Sequence, residues 1–167
     1  TAAFAKDTNH RLYKEFYSFG GPDNVRGLLT YLETLDLQKT KNQNIPVGLL
    51  ATLFAKYPDK ADEWVNSIDN RFLKAAATRA LWVAGLQDLA RARLASDGWT
   101  EKGVKWLERH PVGIASIEPV TASRLNMLWG VFYATGDAEV LRRMTDQMNK
   151  FVGDYDLRPS DVFEFAA

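Results

Sequence analysis

The chain has 167 residues, about one domain's worth, and its 46% hydrophobic and 25% charged content is that of a folded globular protein. Basic and acidic side chains number 21 each and are mixed along the chain, 11 and 9 in residues 1–80 and 10 and 12 thereafter. Neither the basic excess nor the basic stripe that phosphate binding demands is present, so nucleic acid is not an expected partner. Cysteine is absent, which excludes disulfides, thiol nucleophiles, iron–sulfur clusters and thiolate zinc sites.

Helical periodicity dominates the pattern. A weak stripe runs through Leu12, Phe16 and Phe19, and a clean one through Val25, Leu28, Leu29, Leu32 and Leu35. The polar stretch LQKTKNQNIP (37–46) ends at a proline and reads as a surface linker. Leu50, Leu53, Phe54 and Tyr57 form the next stripe, with Trp64, Val65 and Ile68 after it. Phe72, Leu73, Ala76, Ala77, Ala80, Leu81 and Ala84 form another, whose small residues suit close helix–helix approach. Weaker patterns follow at Leu86–Leu94 and around Val104 and Leu107. The segment HPVGIASIEP (110–119) is bracketed by prolines and carries Val112, Ile114 and Ile117, so it is expected to pack on the core as a loop. The last stripes are Leu125, Leu128, Trp129, Phe132 and Tyr133, then Val140, Leu141, Met144, Met148, Phe151 and Val152.

Four times an apolar run ends at Gly or Pro with Asp close behind: FYSFGGPDNV (16–25), LFAKYPDKAD (53–62), LWVAGLQDLA (81–90) and VFYATGDAEV (131–140). Gly or Pro terminates a helix, and Asp can cap the next one and complement its positive end. Corners this short turn consecutive helices back as antiparallel hairpins. The pairs expected are 10–19 with 23–36, 46–57 with 59–69, 71–84 with 86–96, and 120–135 with 137–152, with a single helix near 100–109. Asp59 and Asp137 are expected to be N-caps. No alternating strand pattern competes. The expected fold is a single all-α domain of antiparallel helical hairpins, stacked as a degenerate TPR-like array or gathered into an irregular bundle; the corner spacing is too irregular for a strict repeat.

Chemistry is sparse. The two histidines, His10 and His110, have no local partner motif, and His110 before Pro111 reads as a helix-terminal residue whose partial positive charge suits the dipole. H-E-x-x-H, G-x-G-x-x-G, Walker A and G-x-S-x-G motifs are all missing. GDYDLRPSD (153–161) fails as a calcium loop because Arg158 takes the third ligand position. The pair Asp62/Glu63 reads as a solvated face. No catalytic residue, cofactor or metal is therefore expected.

The aromatics are numerous: Trp64, Trp82, Trp99, Trp106 and Trp129, with Tyr13, Tyr17, Tyr31, Tyr57 and Tyr133. Most are expected to fill the space between helices. The alternative is an aromatic surface for a peptide or partner helix, with Trp82, Trp129 and Tyr133 as its contacts and Arg142 on its polar rim; Arg143, Arg91 and Arg93 are further rim candidates.

LNMLWGVFYATGDAEVLRRM (125–144), with LLATLFAKYPDKADEWV (49–65) and ATRALWVAG (77–85) before it, resembles uncharacterised bacterial helical proteins. These share an LWxxFxATGD-like run after an Asn/Asp-Pro corner and an Ala-Leu-Trp helix. The similarity covers roughly residues 45–152. It implies a bacterial, exported all-α protein and transfers no functional residue. The leading expectation is a non-enzymatic helical-hairpin module that binds a protein or peptide partner, including an accessory or immunity-type protein. The alternatives are a small-molecule or lipid carrier and an enzyme with dispersed active-site residues. No apolar run reaches the ~18–20 residues of a membrane span, so the chain is expected to be soluble. It starts at Thr1, which fits a removed signal peptide and a periplasmic or secreted location as well as a domain boundary. Oligomeric state is left open.

Overall fold

A computed structural model describes residues 13–98 and 101–154. His10, Trp99, the start of the first expected helix and all but the first two residues of GDYDLRPSD lie outside the described residues. The described part is all-α, with no strand: α1 (Phe16–Phe19), α2 (Val25–Glu33), α3 (Thr40–Lys56), α4 (Pro58–Asn66), α5 (Arg71–Val83), α6 (Gln87–Ser96), α7 (Glu101–Leu107), α8 (Ala122–Thr135) and α9 (Ala138–Asp154). Short 3-10 turns occupy Pro22–Asn24 and Ile114–Ser116. Among the described residues no helix is long and apolar enough to cross a membrane.

The corners follow local chemistry. Gly136 ends α8 in the left-handed region (φ 65°), and its N–H donates to Phe132 O at 2.7 Å. Asp137 caps α9 through Oδ1, which accepts from Glu139 N at 2.9 Å. Asn70 caps α5 by accepting from Phe72 N and Leu73 N, and Glu33 Oε1 accepts from Asp69 N and Asn70 N. The end of α2 is thereby tied to the α4–α5 corner. At the second corner the cap position belongs to Tyr57, with Pro58 as the first helical residue. Asp59 is therefore no N-cap; it sits in the first turn and acts through the dipole alone.

The expected linker at 37–46 is half wrong, because α3 begins at Thr40 and carries Pro46 inside it. Pro46 removes one intrahelical hydrogen bond, yet the polar residues around it are engaged. Asn42 Nδ2 donates to Asp36 O at 2.7 Å, and Gln43 Nε2 donates to Leu37 O at 2.8 Å. They fasten the incoming chain to the side of the helix.

α3 is the centre of the molecule. Between residues 43 and 54 only Ile45 and Thr52 keep partial exposure. Its most extensive packing is against α8, then α5, both distant in sequence, and these interfaces exceed those within the successive hairpins. The α3–α8 crossing is a backbone contact. A Cβ on Gly48 would lie 1.8 Å from Met127 O, and one on Gly130 would lie 2.0 Å from Ile45 O. Glycine at both positions lets the helices touch, and Val47, Leu50, Leu128 and Val131 on the same two helices are buried.

The 110–119 loop does pack on the core. Ile117 is fully buried. Trp82 Nε1 donates to His110 O at 3.3 Å, Gly113 N to Val83 O at 2.9 Å, and Arg143 Nη2 to Ile117 O at 2.7 Å. Three donors from α5, the loop itself and α9 thus replace the regular ladder that its prolines forbid.

Candidate functional site

The four candidate partner contacts fall in different places. Trp82 is 2% exposed, hydrogen-bonded to the loop and covered by the Arg91 guanidinium 5.2 Å from its ring centre. It supports the core in this conformation. Arg142 is exposed on α9, where Nε and Nη2 bond Glu139 and Nη1 bonds Asp146. That pairing lowers the Glu139 pKa and raises that of Arg142, mainly through their hydrogen bonds. Among the other rim candidates, Arg93 pairs with Asp62, Arg91 with Glu108, and Arg143 holds the loop. Asp62 and Glu63 are ion-paired at the surface.

Trp129 and Tyr133 belong together. Both are half-buried on α8, 6.2 Å between ring centres, and among the described residues they sit within a chain of six rings. Tyr31 contacts Tyr13 at 5.6 Å, Tyr13 contacts Tyr133 at 5.5 Å, Trp129 contacts Phe132 at 6.1 Å, and Phe132 contacts Tyr17 at 6.0 Å. The sequence supplies the spacing on α8, since positions 129, 132 and 133 share a helical face. The structure adds the N-terminal segment that lies across it. Burial pushes the Tyr13, Tyr31 and Tyr133 hydroxyls above their ordinary pKa, so the belt is neutral in this region.

At its Tyr17 end the belt meets a cleft of about 260 Å³. Phe16 and Tyr17 of α1 form one wall, Leu53, Lys56 and Tyr57 at the end of α3 another, and Ala134 and Thr135 of α8 the third. Tyr17 is 47% exposed at this edge. Gly136 serves it twice. Its positive φ turns the chain, and a Cβ there would press to 2.6 Å from the Tyr17 ring. Lys56 Nζ stands 5.4 Å from the Tyr57 ring centre and has no ion-pair partner among the described residues. Sequence reasoning missed Lys56, because a lysine at a helix C-terminus reads as dipole compensation.

A second polar locus lies near the start of α3, where it meets α5. Arg79 of α5 is 2% exposed and donates from Nη2 to Asn44 Oδ1 at 3.0 Å. Its guanidinium carbon is 5.9 Å from the Trp106 ring centre, and Trp106 in turn meets His110 edge-on at 4.9 Å. Trp106 O accepts from His110 Nδ1 at 3.1 Å, which places the proton of the neutral ring on Nδ1 and leaves Nε2 as acceptor. Burial and then Arg79 lower the His110 pKa below its ordinary value, and Arg124 adds to this. His110 does follow the end of α7, its backbone N–H donating to Leu107 O at 2.8 Å, but burial and Arg79 reduce the partial positive charge expected there. No group of three or more His, Cys, Asp or Glu side chains among the described residues could hold a metal ion.

No protein-family model, curated protein or solved structure matches the chain. Two loci stand out among the described residues: an open aromatic cleft whose Lys56 has no ion-pair partner among them, and a buried arginine seam.

Proposed function

We propose that this chain is a non-enzymatic helical module that binds a protein or peptide partner in the cleft between α1, the end of α3 and α8. The observation that carries the reading is Tyr17, 47% exposed at the cleft edge and backed by Phe132 of the aromatic belt. A rigid ring supplies much contact area for little lost side-chain entropy, and such rings are enriched at binding hot spots. Lys56, without an ion-pair partner among the described residues, gives the cleft one cationic contact and favours a segment that pairs an apolar or aromatic side chain with a carboxylate. The two alternatives draw less support. A volume of about 260 Å³ is below the roughly 300–1,000 Å³ of small-molecule pockets. Among the described residues, the charged groups acting on His110 are Arg79 and Arg124, and its ring neighbour is Trp106.

Selection from a displayed random-peptide library tests the reading. The wild-type chain is expected to enrich apolar peptides carrying Asp or Glu. Tyr17→Ser and Lys56→Glu are each expected to weaken the enriched clones at least about tenfold, the loss of one hot-spot contact. Enrichment of no family of peptides, or clones indifferent to both substitutions, overturns it.

A further inference from the structure

Arg79 poses a physical problem that the cleft does not touch. A guanidinium has five N–H donors, and burying its charge without an anion is strongly unfavourable. Here a single hydrogen bond, to the neutral amide of Asn44, engages it among the described residues. Its Nε is buried with no partner, and no described carboxylate lies within ion-pair distance. The second half of α5 is buried all round, from Ala76 to Val83, so the side chain sits within the helix packing. Burial alone lowers its pKa to about 10, still well above neutrality, so the group stays charged. What surrounds it is also positive or neutral: Asn44 on α3, Trp106 on α7, His110 behind Trp106, and Arg124 near His110. Trp106 and His110 are only half-buried, so the seam reaches the surface at the end of α7.

We propose that Arg79, oriented by Asn44, is the cationic pole of a binding site for a small oxyanion, a carboxylate or a phosphate, entering beside Trp106 and His110. The anion accepts from the unpartnered Nε–H and neutralises the buried charge. Trp106 and His110 flank it on the solvent side, and bound anion favours protonation of His110. This site is separate from the cleft, and its failure leaves the peptide reading intact.

The test uses the full chain in a chloride buffer in which sodium phosphate or sodium acetate replaces chloride at constant ionic strength. Wild type is expected to gain several degrees in Tm with at least one of the two, and which one responds distinguishes phosphate from carboxylate. Arg79→Met is expected to lose that gain and, without added oxyanion, to melt no lower than wild type, because it removes an uncompensated buried charge. A second measurement on the wild-type chain needs no variant. The same oxyanion is expected to shift the His110 imidazole resonances and raise the pH of their titration midpoint. If tens of millimolar phosphate and acetate move neither the Tm nor the His110 resonances, the site does not exist and Arg79 is held by buried water alone.

Discussion

α3 solves two different problems against its two main neighbours, α8 and α5. Toward α8 it presents Gly48, and Gly130 answers it, so that two backbones meet with no side chain between them. Toward α5 it presents Asn44, which meets the guanidinium of Arg79. The first contact is dry and admits no extra atom. The second is polar and leaves a donor unmet. The difference separates what fixes the fold from what is free to serve something else: register is set where glycines touch, and an unmet need is left where the arginine is buried.

The largest effect is expected at the glycine crossing. Gly130→Ala gains about 1 kcal/mol of helix propensity. Against this, its methyl would lie 2.0 Å from Ile45 O and 2.5 Å from Leu49 N. Overpacking costs 1–3 kcal/mol where side chains can yield, and here the obstacle is backbone. The clash wins, with a net loss of about 3 kcal/mol or more, read as a fall in the denaturant midpoint. Gly48→Ala is expected to behave alike, since its obstacle is Met127 O. A near-neutral result at both positions breaks the distinction between the α8 and α5 contacts of α3.

On the polar side a smaller loss with a different signature is expected. Asn44→Leu removes the one hydrogen bond that engages Arg79 among the described residues and should cost about 1–3 kcal/mol in a buffer without added oxyanion. In an Arg79→Met background the same change should cost far less, because the charge it exposed is gone. Additive losses in the double-mutant cycle would show that Asn44 acts through packing instead.

The same contrast explains what could be read without coordinates. Helix existence and most corners were legible because Gly136, Gly85, Pro58 and Asp137 act through local backbone rules that travel with the residue. The start of α3 was not, since Asn42, Gln43 and Asn44 look solvated in a sequence and are in fact engaged with Asp36, Leu37 and Arg79. Asp59 failed as a cap because Pro58 took the first helical position. At the candidate sites, the α8 aromatic face followed from spacing, but its covering by Tyr13 and Tyr17 depends on tertiary contact. Arg79 had one local signal: it interrupts a run, Ala75 to Val83, that is otherwise almost wholly apolar, and such a helix is buried on every side.

The α8–α9 elbow tests local chemistry at moderate size. Asp137→Ala should cost about 0.5–2 kcal/mol, the worth of a lost cap, because Glu139 N loses its acceptor. Peptide binding in the cleft should persist, since Gly136 still turns the chain against Tyr17. A loss of binding larger than the loss of stability would extend the cleft to the elbow.

Arg142 gives the smallest effect and the cleanest control for Arg79. Both are helix arginines, but Arg142 is open to solvent between Glu139 and Asp146, one turn to either side. Water screens its pairs, and holding long side chains in place offsets what remains. Arg142→Met is therefore expected to leave the Tm unchanged, with or without phosphate or acetate, whereas Arg79→Met abolishes the oxyanion response. The two substitutions delete the same charge and add the same side chain, so they differ only in burial and partners. An equal change in both would mean that oxyanions act on overall charge, and the distinction between a buried seam and a solvated helix face would carry no function. Only if Arg142→Met also weakened the selected peptides would α9 join the partner surface.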